Sequence, residues 1–102
     1  MATYYVDSNA TGLNDGSSWT DAWTSISSTA TISDGDTVLI ASDHSETHTG
    51  LTLTFGTTTP SYLISTNKTT GAYEVGAELL CSSGGVNLNN NARIRGVSFE
   101  TA

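Results

Sequence analysis

Positive charge is nearly missing from this chain: Lys68, Arg93 and Arg95 are its only cations against ten Asp and Glu, a formal net charge of −7 over 102 residues. A surface of that sign repels a phosphate backbone and an anionic bilayer alike, so neither nucleic acid nor a membrane is expected as a partner. No apolar run approaches the roughly twenty residues that a spanning helix needs. The opening Met1-Ala2-Thr3-Tyr4-Tyr5-Val6-Asp7 also lacks the basic-then-apolar pattern of a secretory leader. Cysteine is as scarce. Cys81 stands alone, which excludes an internal disulfide, and its place in Leu79-Leu80-Cys81 suits a small buried apolar side chain better than a reactive thiol. Charged residues are only 13% of the chain, yet 36% is apolar and Ser and Thr fill much of the rest, a balance that argues against disorder and for exposed strand faces.

What is present is a series of short apolar runs. Gly35-Asp36-Thr37-Val38-Leu39-Ile40-Ala41 joins a turn to a strand, and similar runs follow at Leu51 to Phe55, Tyr62 to Ser65, Leu79 to Cys81, Val86 to Leu88 and Ile94 to Phe99. Gly, Asn, Ser and Thr separate them, as expected where the backbone turns sharply between short strands. Taken three to a turn, Val38, Leu53 and Leu63 find successors at Leu79, Leu88 and Ile94, a repeat of roughly thirty to forty residues that fits coil repetition in a solenoid. The expected fold is all-β, a right-handed parallel β-helix of about two coils. It occupies residues 1–102 as a single domain or as the front of a longer β-helix, with 1–33 forming a first strand and cap and 34–102 the coils. Residues 67–77 lengthen the first coil as a surface loop.

The cap is expected to be a short helix. Thr3 to Val6 reads as a strand and Asp7 to Ser18 as a loop of Asp, Asn, Gly and Ser, after which Trp19, Ala22, Trp23 and Ile26 fall at helical spacing. Ser18 stands where an N-cap would, Asp21 lies in the first turn, and the helix ends near Ser28. Trp19, Trp23 and Ile26 would then share one face and close the first coil, whose apolar interior and unpaired backbone would otherwise be open. The other end ends in Ile94 to Phe99 without a capping element, so another chain or further residues must cover it.

The order Tyr4-Tyr5-Val6-Asp7, Asn14-Asp15-Gly16, Ser18-Trp19, Asp34-Gly35-Asp36-Thr37-Val38-Leu39-Ile40-Ala41 and Ile94-Arg95-Gly96-Val97-Ser98-Phe99 resembles the N-terminal portion of right-handed parallel β-helix proteins of the pectate-lyase-like fold. Lyases, hydrolases, epimerases, phage tailspikes and non-catalytic virion proteins share such motifs, so the resemblance speaks to fold before function. Ala41-Ser42-Asp43-His44-Ser45-Glu46 replaces the Pro-Gly-x-Tyr frequent after the first long strand, which is similar to virion-associated members. In the enzymes, the catalytic groove runs along central coils beyond the reach of two coils beside the cap.

Candidate chemistry is thin. Asp7, Asn9, Thr11 and Gly12 match half of an EF-hand loop, but Ser18 stands where the bidentate Glu belongs, leaving an Asx-closed loop as the expectation and Ca²⁺ at Asp7, Asn9 and Asp15 as the alternative. Asp43, His44, Glu46 and His48 read as a solvated polar loop, with zinc at His44 and His48 or acid–base work by His44 as alternatives. Asp34 and Asp36 stabilise their own turn. The amides of Asn87, Asn89, Asn90 and Asn91 are expected to stack between coils. Arg93 and Arg95 share the outward face of the last strand, as edge charges or as partners for an acidic surface. No catalytic, cofactor-binding or metal residue is expected, and the interaction residues are Arg93, Arg95, Val97 and Phe99. The expectation is a non-enzymatic virion component of a bacteriophage, a head decoration or the attachment end of a fibre or spike. It would dock on capsid or tail proteins, with a homo-oligomer possible. The alternatives are the front of a polysaccharide lyase or hydrolase with its active site beyond residue 102, and a carbohydrate-binding module using Tyr4, Tyr5, Tyr62 or Tyr73 as a stacking platform.

Overall fold

Short runs rich in apolar and β-branched residues make strands here, with burial alternating along several of them, and the strands are parallel because the chain returns to a sheet only after visiting another. The computed structural model describes residues 2–26, 29–82 and 85–101, without the side chains of 29, 30 and 101; among these residues there are strands, turns and bends and no helix. Ten strands follow in order: β1 (Thr3–Val6), β2 (Thr29–Thr31), β3 (Thr37–Ala41), β4 (Ser45–His48), β5 (Leu51–Thr54), β6 (Ser61–Thr66), β7 (Ala77–Cys81), β8 (Val86–Asn89), β9 (Ala92–Arg95) and β10 (Val97–Thr101). They form three sheets, β1-β3-β6-β9, β4-β7-β10 and β2-β5-β8, and every neighbouring pair is parallel.

From β3 onward the chain visits the first, second and third sheets in rotation, so side chains of like position stack in register. Tyr4, Val38, Leu63 and Ile94 form one inward column of the first sheet. Leu53 stands beside Leu88 in the third, and Leu79 beside Phe99 in the second. Val6, Ile40, Leu51, Leu53, Phe55, Leu63 and Leu79 are buried in one continuous core. Burying side chains of this size stabilises the fold by about 1.5–3 kcal/mol each. Cys81, 3% exposed, belongs to that core as an apolar residue.

Four expectations are corrected. The helix over Trp19 to Ile26 does not form, and its expected end at Ser28 lies outside the described residues. Ser18 Oγ does accept the Asp21 N–H at 3.1 Å, the hydrogen bond of an N-cap, but it closes only a turn. The Asp21 carbonyl is taken instead by the N–H groups of Asp15 and Gly16, and Trp23 pairs its backbone with β1: its N–H donates to Tyr5 O and its carbonyl accepts from Asp7 N–H. A short Ser- and Thr-rich segment gains little as a helix, whereas pairing with an open strand edge satisfies groups that would otherwise be unpaired.

The second correction is register: Val38 is followed by Leu63, not Leu79, because Leu79 lies in another sheet. Third, Ile94 to Phe99 is not one run. Gly96, at φ 72°, breaks it into β9 and β10, which belong to different sheets. A side chain at Gly96 would be strained at that φ and would meet the Tyr73 ring at 2.8 Å. Fourth, the segment around His44 to His48 is not a solvated loop, because His44 is buried and Ser45–His48 form β4.

Candidate functional site

The three sheets have two ends, and their chemistry differs. At the end bearing β1, residues 7–26 occupy the place in the rotation where a strand of the second sheet would stand, and they cover what that omission exposes. Trp19 and Trp23, expected on one face, are separated. Trp23 stacks on Tyr4 with ring centroids 4.9 Å apart, and Trp19 meets Tyr5 edge-on at 4.9 Å. Tyr4 and Tyr5 are consecutive residues of a strand and point to opposite faces, so one indole packs toward the core and the other outside. Ile26, 4% exposed, enters the core. Gly16, at φ 78°, sits against the Trp23 indole, where a Cβ would come within 2.7 Å of the ring.

Beneath this cover lies a polar network that the sequence presented as a loop. His44, 1% exposed, accepts the Ser8 N–H at Nδ1 at 2.9 Å, which leaves the proton on Nε2; that nitrogen donates to Glu46 Oε1 at 2.6 Å. His48 Nε2 donates to Glu46 Oε2 at 2.5 Å, and both carboxylate oxygens accept the Ile26 N–H, at 3.0 and 3.1 Å. Glu46 therefore fills the place of the absent strand by holding the backbone that covers β4. Burial pushes its carboxyl up, but the hydrogen bonds from His44, Ile26 N–H and His48 outweigh that and hold it below the ordinary value of 4.5. The signal was the period-two spacing of His44, Glu46 and His48, which is strand spacing. Among the described residues no group of three or more His, Cys, Asp or Glu is arranged to hold a metal ion.

Other carboxylates tie successive strands together. Lys68 Nζ lies 2.8 Å from Asp7 Oδ2 and 3.5 Å from Asp43 Oδ2, joining the turns that follow β1, β3 and β6. The hydrogen bond to Asp7 is the largest influence on Lys68 and, against some loss of hydration, holds its ammonium above the usual lysine range. Asn9 N–H bonds Asp7 Oδ1 and Ser17 N–H bonds Asp15 Oδ1, the Asx geometry expected of that loop. Asp34 and Asp36 reach beyond their own turn, accepting from Thr57 N–H at 2.7 Å and Ala2 N–H at 2.8 Å. The Asn90 and Asn91 amides donate to the carbonyls of Phe55 and Thr57, backbone groups of the preceding turn, rather than to each other.

The opposite end has no such cover among the described residues. β8, β9 and β10 are the outermost strands of their sheets and lie together. Leu88 is 43% exposed, and Ile94, Val97 and Phe99, which pack against the core, are only half-buried. Arg93 and Arg95 are exposed on the outward face of β9, beside Tyr62 and Ile64 of β6. The four expected interaction residues thus come together at one end, joined by Leu88 and by Tyr73, whose ring lies 4.6 Å from the Arg95 guanidinium. Tyr73 reaches there on the loop between β6 and β7, a proximity no local pattern announced.

One cleft of about 340 Å³ opens at the covered end, lined by Tyr4, Trp23, Ile26, Ile32, Val38 and Asp36 among others. Trp23 is held there between Tyr4 and Gly16, so its indole is a packing element of the cover. Among the described residues no helix is long and apolar enough to cross a membrane. Comparison with known proteins leaves the chain without a match: no family model, no curated protein and no solved structure matches it.

Proposed function

We propose that the chain is the covered first end of a right-handed parallel β-helix that serves as a docking scaffold without catalytic activity, a structural component of a phage virion. The observation that carries this reading is the contrast between the two ends of the sheets. Three parallel edges and four partly exposed apolar side chains, Leu88, Ile94, Val97 and Phe99, lie together at one end, while the other is closed by residues 7–26. Unpaired edges in parallel sheets are sites for added strands, and they persist in functional proteins when something covers them. The rotation of strands through three sheets supports the β-helix, as does the sequence resemblance, and the resemblance alone supports the virion. Head decoration or the attachment end of a fibre or spike fits a rigid acidic scaffold that meets capsid or tail proteins through one end. The engagement of Asp7, Asp34, Asp36 and Glu46 in contacts within the chain supports a role other than acid–base catalysis.

The test is to purify intact particles, find the chain by mass spectrometry, and compare amide hydrogen exchange of β8, β9 and β10 in the particle with exchange in the isolated chain. Protection confined to the particle is the expected result. Absence from the particle overturns the virion role, and equal exchange in both overturns docking through this end.

A carbohydrate-binding module is the second reading, favoured by one observation: Tyr62 and Tyr73 are 39% and 47% exposed near the two arginines. Glycan-array binding lost in a Tyr62→Ala, Tyr73→Ala variant that keeps its strand signal would favour it over docking.

A further inference from the structure

We propose that His44, Glu46 and His48 form an acid-operated latch on the cover: when Glu46 takes up a proton, the Ile26 end of the segment lifts from β4 while Trp23 stays paired with β1. This goes beyond docking and concerns the opposite end of the sheets.

Three observations carry it. First, the cover is held in two chemically different ways. Toward β1 the ties are backbone pairs that acid leaves alone: Tyr5 N–H to Gly16 O at 3.0 Å, Trp23 N–H to Tyr5 O at 2.9 Å and Asp7 N–H to Trp23 O at 2.8 Å. Toward β4 they end on side chains that titrate, Ser8 N–H on His44 Nδ1 and Ile26 N–H on both oxygens of Glu46.

Second, the Glu46 carboxylate has no place for a proton. Its two oxygens face three donors, His44 Nε2–H, His48 Nε2–H and Ile26 N–H, so a hydrogen on either oxygen meets another hydrogen. Acid adds protons to an imidazole and removes none, so neither histidine turns into an acceptor. Two of the three donors belong to the segment that carries Glu46, and β4 is paired with β7 along its length, so the backbone free to move away is that of Ile26. Third, space is already present at that end: the cleft of about 340 Å³ is lined by Ile26 together with Tyr4, Trp23, Ile32 and Val38. Lifting Ile26 widens it and presents its apolar lining in acid alone.

The neighbouring charges are engaged elsewhere. Asp7 of the cover and Asp43 of the turn before β4 share Lys68, and Glu74 of the loop after β6 accepts from Ser42 Oγ and Asn67 Nδ2. From β7, Leu79 stands beside Glu46 and Cys81 beside His48, while Glu78 is turned to the outer face next to Ser45. The trigger is therefore the carboxylate among its own donors. Those donors hold it below its ordinary value of 4.5, so the latch is closed above that pH and opens as pH falls through the lowered value.

The experiment measures amide protection by NMR on the full chain, labelled with ¹⁵N, from pH 6.5 to pH 3, with each rate divided by the intrinsic exchange rate at that pH. The expected result is that Ile26 loses at least tenfold in protection at the acid end, while Trp23 and the amides of β3 and β6 keep theirs. The H48Q variant, altered at a partly exposed position, removes one imidazole donor and should move the Ile26 midpoint to higher pH, a shift that a misfolded chain cannot mimic. E46Q should leave Ile26 weakly protected at every pH; if that variant does not fold, the parent chain and H48Q decide. Ile26 protection that persists to pH 3, loss at Ile26 together with Trp23 or with β3 and β6, or an H48Q midpoint that does not rise overturns the proposal. Docking is judged separately by exchange of β8, β9 and β10 in the particle, so either can fail while the other stands.

Discussion

The first and last strands of the same three sheets solve the edge problem in opposite ways. At β1 the edge is taken by the backbone of Gly16 and Trp23, and Glu46 grips the Ile26 N–H where a strand of the second sheet would have run. At β8, β9 and β10 no further strand pairs with the edges among the described residues, and Leu88 is exposed while Ile94, Val97 and Phe99 are partly so. The covered end ties its charges into contacts within the chain, whereas at the open end neither arginine makes an ion pair among the described residues. Lys68, held between Asp7 and Asp43, and Arg93, with no carboxylate beside it among the described residues, are the clearest single contrast.

The largest effect should come from breaking the cover. Trp23→Ala removes the ring stacked on Tyr4 and the surface that closes the core beside Val6, and is expected to cost about 3–5 kcal/mol, measured as a lower denaturation midpoint in urea. An unchanged midpoint would mean that residues 7–26 are a decoration and not a closure.

Next in size is the contrast between Leu79 and Phe99, neighbours in one column. Leu79 is fully buried, so Leu79→Ala should cost about 3 kcal/mol in the isolated chain. Phe99, larger but only partly buried, should cost less, about 1.5 kcal/mol, because truncation there removes contact that is already incomplete. If Phe99→Ala costs as much as Leu79→Ala, the open end is as well packed as the interior and the docking reading loses its basis.

Glu46→Gln should cost about 2 kcal/mol, since the amide replaces an acceptor of four hydrogen bonds by a group with one acceptor oxygen beside two imidazole donors. The pH dependence has a fixed sign. A carboxyl held below its unfolded value binds its proton more readily in the unfolded chain, so its contribution is complete above pH 4.5 and is lost as pH falls through the lowered folded value. Urea midpoints collected from pH 7 to pH 3 should therefore fall less steeply below pH 4.5 in E46Q than in the parent chain. Parallel curves would show that Glu46 is not what links the cover to acid.

These elements also mark what sequence could reveal. The strands at 37–41, 51–54 and 61–66 were legible as short apolar runs bounded by Gly, Asn, Ser and Thr. β4 was hidden because its inward positions are Glu46 and His48, polar side chains that satisfy one another, so that burial left no hydrophobic trace. The helix was expected because Trp19, Ala22, Trp23 and Ile26 fit a period of 3.6 by spacing alone. What decided otherwise was a free strand edge next to Trp23, a tertiary demand that no local window contains. At the open end, Arg93 and Arg95 were legible from strand periodicity, whereas Tyr73 came to Arg95 through a loop return that no local pattern announced.

The smallest effect separates the cations. Lys68→Met leaves the buried Asp7 carboxylate without its countercharge and should cost about 1 kcal/mol, a modest figure because the lysine is itself a third exposed. Arg93→Gln should change stability by no more than about 0.5 kcal/mol, because its guanidinium makes no ion pair that folding could lose among the described residues. Measured together in urea at 0.05 M and 0.5 M salt, the parent should lose its advantage over the Lys68 variant at the higher salt as the partly exposed pair is screened, while the Arg93 variant should track the parent at both. A destabilised Arg93 variant would show that the arginine serves the fold. A neutral one leaves its charge free for a partner, and that freedom is what the open end requires.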